Sequence, residues 1–320
     1  MSKYLVTGAA GFIGSNLVEE LLNQGHEVIG FDNLSTGSRD NLTFVDQMPN
    51  GKRFRFIEAD IRDLNQCHEA CQDVDYVLHQ AALGSVPRSM EHPALYNDNN
   101  ITGTLNMLIA ARDAKVKRFV FASSSSVYGD TPTLPKIETM IPCPKSPYAI
   151  SKITGEYYCK VFWIAYGLPT VALRYFNIFG QRQSPTSQYA AVIPKFITAY
   201  LKNESPTIHG DGEQTRDFTY IKNAINANLA ACHALPDAFG ESMNVGCGSR
   251  ISLNMLSGKI KEITQSTANP LYTPSRIGDV KDSLASNDKC NHLLQLNNRV
   301  DMGEGLQKTV EWYTAQSTNS

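Results

Sequence analysis

The sequence predicts an α/β fold, a doubly wound parallel sheet followed by a smaller carboxyl-terminal domain. Three observations carry this expectation. Short apolar, β-branched runs alternate with helix-length amphipathic segments through the first half of the chain. Strands separated by helices need crossover connections, and these make the sheet parallel and cover both of its faces. Runs such as Phe119-Val120-Phe121-Ala122 are apolar without interruption, as burial on both faces requires.

Taken in order, the predicted strands are Tyr4–Thr7, Glu27–Phe31, Arg53–Ile57, Tyr76–His79, Arg118–Ala122 and Thr170–Arg174. Helical spacing falls between them at Ser15–Asn23, Leu64–Ala70 and Asn99–Lys115, with a further helix at Ser151–Tyr166. After about Asn177 the rhythm breaks, and Gly, Pro, Gln and Ser cluster between Phe179 and Tyr189. The first domain is expected to hold residues 1–176 together with about 217–247. The second is expected to hold about 177–216 and 248–320. No repeat is visible, and only the tail from Gln316 to Ser320 reads as disordered.

Composition excludes several functions. The chain has 320 residues, enough for a large core, and a formal charge of −2. No run of Lys or Arg exceeds two residues, which argues against nucleic acid or an anionic membrane as partner. No stretch approaches the roughly 20 apolar residues that span a bilayer. Met1-Ser2-Lys3 leads straight into the first strand, unlike a signal peptide, so a cytoplasmic location is expected. The seven cysteines (Cys67, Cys71, Cys143, Cys159, Cys232, Cys247 and Cys290) are scattered and odd in number. Reduced packing thiols are expected, with no metal site.

Gly8-Ala9-Ala10-Gly11-Phe12-Ile13-Gly14 stands between the first strand and the first helix. Glycines there permit a tight turn and close approach of a pyrophosphate, and the helix start offers free N–H groups. Asp32 follows 24 positions after Gly8, at the end of the second strand. A carboxylate at that place accepts hydrogen bonds from adenosine ribose hydroxyls and repels a 2′-phosphate. NAD is therefore expected rather than NADP.

Tyr148-Ala149-Ile150-Ser151-Lys152 opens the fourth helical pattern, and its i, i+4 spacing puts Tyr148 and Lys152 on one face. A tyrosine of pKa near 10 is a poor base at neutral pH. A neighbouring ammonium and a positive nicotinamide ring would favour its phenolate. Ser123-Ser124-Ser125-Ser126-Val127-Tyr128-Gly129 directly follows a predicted strand, where ligands of parallel sheets bind.

With these motifs, the chain resembles the extended short-chain dehydrogenase/reductase family, with its Rossmann-type sheet and NAD-dependent epimerases and dehydratases. Further matches are Asp60-Ile61-Arg62, His79-Gln80-Ala81-Ala82, Leu173-Arg174-Tyr175-Phe176-Asn177, Arg216-Asp217-Phe218 and Arg276-Ile277-Gly278-Asp279-Val280. Within the family it looks most like the UDP-N-acetylglucosamine 4-epimerases of bacterial polysaccharide biosynthesis. Leu78–Ser89, Gly180–Gln183 and Tyr189–Lys195 carry that subgroup resemblance.

The resemblance implies Ser124, Tyr148 and Lys152 as the catalytic set. It implies cofactor contacts at Gly8, Gly11, Phe12, Ile13, Gly14, Asp32, Asn33, Ser35, Gly37, Asp60 and Ile61. Further contacts are implied at Gln80, Ala81, Ala82, Asn99, Ala122, Tyr148, Lys152 and Tyr175. On the sugar-nucleotide side it implies Gly84, Ser85, Val86, Ser124, Ser125, Tyr148, Asn177, Ala191, Val192, Lys195, Arg216, Arg276, Asp279 and Ser283. Arginines suit a diphosphate because the guanidinium fork binds its oxygens in pairs. The implied reaction inverts C4 of a UDP-sugar through a transient 4-keto intermediate, with Tyr148 moving the hydroxyl proton.

A 4,6-dehydratase commonly carries Asp-Glu directly after the first catalytic hydroxyl, where this chain has Ser125-Ser126, so dehydration is not expected. UDP-glucuronate decarboxylation is disfavoured likewise, since Ser126 replaces the Glu usual in that group. Ser283 stands where epimerases restricted to plain hexoses carry a large aromatic residue. A serine leaves room for an N-acetyl group, so UDP-GlcNAc and UDP-GalNAc are the expected pair. UDP-N-acetylglucosaminuronate remains a competitor, its carboxylate taken by Ser125 or Ser126, as do UDP-glucose and UDP-galactose. A non-catalytic NAD sensor is the alternative from another class, although such proteins typically lose the Tyr or Lys kept here.

His79 is expected to pack or cap, and His209 to lie on the uridine side. Phe162 and Trp163 on the Ser151–Tyr166 helix either join their own core or form an apolar face. Such a face, with Asn99–Lys115, would build the four-helix bundle of a homodimer, as is common in this family.

Overall fold

The computed structural model describes residues 1–185, 191–274, 282–296 and 299–318. Six strands lie where the sequence predicts them: β1 Lys3–Thr7, β2 Glu27–Asp32, β3 Phe54–Glu58, β4 Tyr76–His79, β5 Arg118–Ser124 and β6 Thr170–Tyr175. A seventh, β7 Glu241–Val245, pairs with β6. All neighbours run parallel in the order β7-β6-β5-β4-β1-β2-β3. This is the Rossmann order, and it reverses between β1 and β4.

The period-2 alternation of strand side chains builds two apolar layers. Val6, Leu78, Val120 and Val171 face one way, against α1 (Phe12–Asn23) and the helix Ile221–Cys232. Leu5, Val77, Phe119, Phe121 and Ala172 face the other. There they meet α2 (Leu64–Cys71), α3 (Gly103–Asp113) and α4 (Pro147–Tyr166). Full burial of side chains such as Phe119 and Leu5 stabilises the fold by about 1.5–3 kcal/mol each.

α4 has clear end signals. Ser146 caps it by accepting the Ala149 N–H, Pro147 occupies the first turn, and Gly167 ends it in a left-handed conformation. The segment before α3 differs from the predicted single helix: Asn97–Thr102 is a π-helical turn that leads into Gly103. Beyond β6 lie Val192–Leu201, Leu253–Thr264 and short strand pairs such as Ile178–Phe179 with Thr219–Tyr220. Of the tail expected to be disordered, residues 316–318 instead continue the helix Met302–Thr318, and residues 319–320 lie outside the described residues.

Phe162 is buried, and Trp163 packs edge-on against Phe239 at 5.1 Å, so both join their own core. The apolar face that α4 leaves open consists of Ile150, Tyr157, Val161 and Ile164, exposed by 46%, 58%, 50% and 70%. Their spacing of seven, four and three residues forms one stripe along the helix. No helix among the described residues is long and apolar enough to cross a membrane.

Candidate active site

The site grows from the carboxyl ends of β1 and β4, where the strand order reverses. Gly8 has φ +67°, and a Cβ there would lie 2.8 Å from the Ala81 nitrogen. Gln80 and Ala81 therefore lie directly against the glycine, with Ala82 half-buried beyond them. Gly11 precedes α1 with no side chain capping the helix, whose first residues are Phe12, Ile13 and Gly14. A Cβ on Gly14 would lie 2.0 Å from the Gly8 oxygen, so only glycine lets helix and strand pack this closely. An uncapped helix start above a glycine turn is a fitting cradle for a dinucleotide pyrophosphate.

Asp32 is buried at the end of β2. It accepts the Ala10 N–H at 2.9 Å and the Leu34 N–H at 2.8 Å. Burial raises its pKa, and those N–H groups oppose the rise. Each oxygen keeps a second lone pair, which fits ribose hydroxyls as donors. Beside it, the Asn33 amide donates to Asp60 at 2.9 Å and the Ser35 N–H donates to Asn33. Gly37 lies against the Ala10 backbone. Arg62 grips Asp60 through two nitrogens at 3.0 and 2.7 Å, which holds its carboxyl at about 2. Ile61 is buried next to it, and Asn99 is buried on the π-helical turn. A carboxylate with free lone pairs beside a glycine turn and an uncapped helix start has the chemistry to hold a dinucleotide such as NAD.

Ser124 closes β5. Its hydroxyl accepts the Ser126 N–H at 3.2 Å and lies near enough to Tyr148 to favour the ionised phenol. Tyr148 is half-buried, and the Tyr96 ring meets it edge-on at 6.5 Å. Lys152 is buried, and its Nζ donates to the Ala122 carbonyl at 2.7 Å. Burial brings its pKa down to about 8.

One electrostatic expectation is corrected. The Lys152 ammonium lies 5.8 Å from the centre of the Tyr148 ring, turned to Ala122 rather than to the phenol. Burial dominates the phenol and pushes its pKa up, opposed by the Ser124 hydroxyl and reinforced by Tyr96. His79 packs, as expected. It is buried between the Thr7 hydroxyl (2.8 Å) and the Thr104 hydroxyl (3.0 Å), and burial brings its pKa down to about 3.

A cavity of about 610 Å³ opens where several of the residues expected on the sugar-nucleotide side meet. Of the predicted residues, Asn177, Ala191, Val192, Lys195 and Arg216 line it, as does His209. Gly84 is exposed just before the helix Val86–Glu91, whose first residue Val86 is exposed as well, and Ser125 is half-buried after β5. The Ser85 N–H is held by the Tyr96 hydroxyl at 3.1 Å. Ser283 does not line the cavity. Its hydroxyl accepts from the Asn177 amide and from the Asp217 N–H, each at 3.2 Å. Asn177 has φ +37°, and its amide also donates to the Asp217 carbonyl at 2.9 Å. Arg276 and Asp279 lie outside the described residues. Among the described residues, no group of three His, Cys, Asp or Glu side chains could hold a metal ion.

Two residues of the site escaped the sequence reading. Asn100 donates to the Leu83 carbonyl (3.1 Å) and accepts its N–H (2.8 Å), and it donates to the Ser151 hydroxyl. Asn228 completes a closed ring. Gln80 donates to Asn228 (3.0 Å), Asn228 to the Tyr175 hydroxyl (2.7 Å), and Tyr175 back to Gln80 (3.2 Å). Asn228 is one of three asparagines on its helix, and nothing in the sequence separates it from Asn223 and Asn226.

Residues 4–246 match the model of the NAD dependent epimerase/dehydratase family. The chain is 38% identical over 310 residues to a putative UDP-glucose 4-epimerase of Methanocaldococcus jannaschii, covering 96% of this chain and 97% of that one. A solved structure of UDP-N-acetylglucosamine 4-epimerase from Methanobrevibacter ruminantium, in complex with UDP-N-acetylmuramic acid, is 40% identical. It superposes with a TM-score of 0.92 over 98% of this chain and 99% of that one. UDP-glucuronic acid 4-epimerase from Bacillus cereus, in complex with UDP-glucuronic acid and NAD, is 33% identical with a TM-score of 0.88. There the coverage is 98% and 99%.

Proposed function

The chain belongs to the NAD-dependent epimerase/dehydratase family, and from that premise we propose that it is a UDP-N-acetylglucosamine 4-epimerase. The observation that carries this is the meeting of Ser124, at the end of β5, with Tyr148 and Lys152 one helical turn apart on α4, in a chain that also carries a cavity lined by Arg216 and Lys195. NAD, when bound, supplies reversible hydride exchange at the sugar C4. The remaining work falls to the chain. Tyr148 takes the proton of the 4-hydroxyl and returns it, and Ser124 donates to the 4-oxygen. Lys152 holds positive charge behind them, and Arg216 and Lys195 hold the diphosphate so the sugar turns while its nucleotide stays bound.

Ser283 favours an N-acetylated sugar. Its hydroxyl is bonded to Asn177 and Asp217, and Asn177 itself lines the cavity, so a small residue here adds no bulk behind that wall. A second reading, a UDP-N-acetylglucosaminuronate epimerase, is favoured by Ser126. Its hydroxyl is buried without a hydrogen-bond partner among the described residues, beside the serines that would meet a C6 carboxylate. The α4 stripe of Ile150, Tyr157, Val161 and Ile164 supports a homodimer through a four-helix bundle with α3.

Purified protein would be incubated with UDP-GlcNAc, UDP-glucose and UDP-N-acetylglucosaminuronate separately, with no added electron donor, and followed by proton NMR. Preferential formation of UDP-GalNAc supports the proposal. Preference for the acid moves the assignment to the second reading, and turnover of UDP-glucose alone refutes the open pocket.

A further inference from the structure

A buried ion pair joins α4 to the sheet directly behind this site. Glu156 lies four residues after Lys152 and eight after Tyr148, on the same helix face. Its side chain is 3% exposed and that of Arg174 is 5% exposed. Arg174 donates to it twice, at 2.9 and 2.7 Å. The carboxylate also accepts the Ser123 hydroxyl from β5 at 2.5 Å and the Ser242 hydroxyl from β7 at 2.9 Å. On its other side Arg174 donates to the Tyr128 hydroxyl at 2.8 Å, and Tyr128 donates to Asn244 at 2.7 Å. The Asn244 amide donates to the carbonyls of Lys136 (2.9 Å) and Ser286 (3.1 Å).

An apolar pair of similar volume would hold these elements together as well or better. What the ion pair adds is direction, because a guanidinium fork and a carboxylate fix the angles of every bond they make. Ser123 and Ser124 are adjacent in a strand and point to opposite faces. Tying the Ser123 hydroxyl to Glu156 therefore sets the roll of β5 about its axis, and with it the aim of Ser124. The same carboxylate sits on the helix that carries Tyr148 and Lys152.

Resting on the epimerase reading above, we propose that Glu156 and Arg174 are a positioning pair that aligns Ser124 with Tyr148 and Lys152. Through Tyr128 and Asn244 the pair joins that alignment to the segment carrying Ser283.

The test compares wild-type protein with the double variant Glu156→Leu/Arg174→Met and with Ser123→Ala. The double substitution removes both charges together, so net charge near Lys152 is unchanged and no buried ion is stranded. Thermal unfolding, bound NAD, kcat and KM for the UDP-sugar would be measured for each. The double variant is expected to fold, keep its NAD and hold KM within about twofold, with kcat lowered roughly tenfold to a hundredfold. Ser123→Ala, which deletes one hydrogen bond, is expected to lower kcat about threefold or more at unchanged unfolding temperature. If the double variant does not fold, Ser123→Ala decides. Wild-type kcat in a folded variant, or a loss confined to KM, overturns the pair while leaving the epimerase reading intact. A wild-type protein that converts no UDP-sugar refutes the reading on which the pair rests.

Discussion

The Lys152 ammonium donates a 2.7 Å hydrogen bond to the carbonyl of Ala122, two residues before Ser124. Helix α4 is thereby latched to the strand that presents the serine. Burial has already brought this lysine down to about 8, so the free enzyme loses the ammonium as pH rises through that value. kcat/KM is expected to decline above about pH 8. Lys152→Arg keeps the charge to far higher pH, so its profile should lack that limb whatever its absolute rate. Identical pH–rate profiles for the two proteins would contradict this role.

Tyr148→Phe removes the proton carrier and leaves the ring against Tyr96. The fold and the NAD content should be retained, and kcat should fall by roughly 10² to 10⁴. Without cofactor, burial holds the phenol above its ordinary value. Ultraviolet titration of NAD-free protein should therefore show no tyrosinate near neutral pH that Tyr148→Phe removes.

Asp32 carries two backbone N–H groups as well as the proposed ribose contact. Asp32→Asn replaces one acceptor by a donor. Charge-assisted bonds contribute about 1.5–3 kcal/mol, so NAD affinity should drop roughly tenfold to a hundredfold, measured by calorimetry. Unchanged affinity would place the ribose elsewhere.

Ser283→Tyr should discriminate between sugars. The ring abandons the Asn177 and Asp217 donors and must find room beside Asn177, which lines the cavity. The ratio of kcat/KM for UDP-GlcNAc over UDP-glucose is expected to fall by at least about tenfold. An equal loss for both sugars would mean that Ser283 only holds its turn.

For the dimer, Val161→Glu puts a charge in the exposed α4 stripe. Light scattering is expected to report a dimer for the wild type and a monomer for the variant, with the unfolding profile little changed.

The sheet was legible wherever burial is apolar. Six strands follow from β-branched runs because their partners across both faces are hydrocarbon. Glu241–Val245 was not legible as a strand because two of its residues serve a polar interior. Ser242 meets Glu156, and Asn244, fully buried, meets Tyr128 and two carbonyls. The π-helical turn at Asn97–Thr102 was hidden for a related reason: one widened turn leaves the apolar spacing of Asn99–Lys115 nearly intact. The glycine cradle, Asp32, Tyr148 and Lys152 were readable because their spacing is local. The Glu156–Arg174 pair and the Asn228 ring join residues far apart in the chain, and neither periodicity nor spacing reports such partners. The charge of Lys152 was legible as well. Its direction was not, since only the fold reveals the Ala122 carbonyl that claims it.

The central claim, inversion at C4 with Tyr148 as proton carrier, is tested most directly with UDP-GlcNAc deuterated at C4. Wild-type protein without added cofactor should yield UDP-GalNAc with the deuterium still on C4, and Tyr148→Phe should yield almost none. Product that has exchanged its C4 deuterium for solvent hydrogen, or undiminished conversion by Tyr148→Phe, would contradict it.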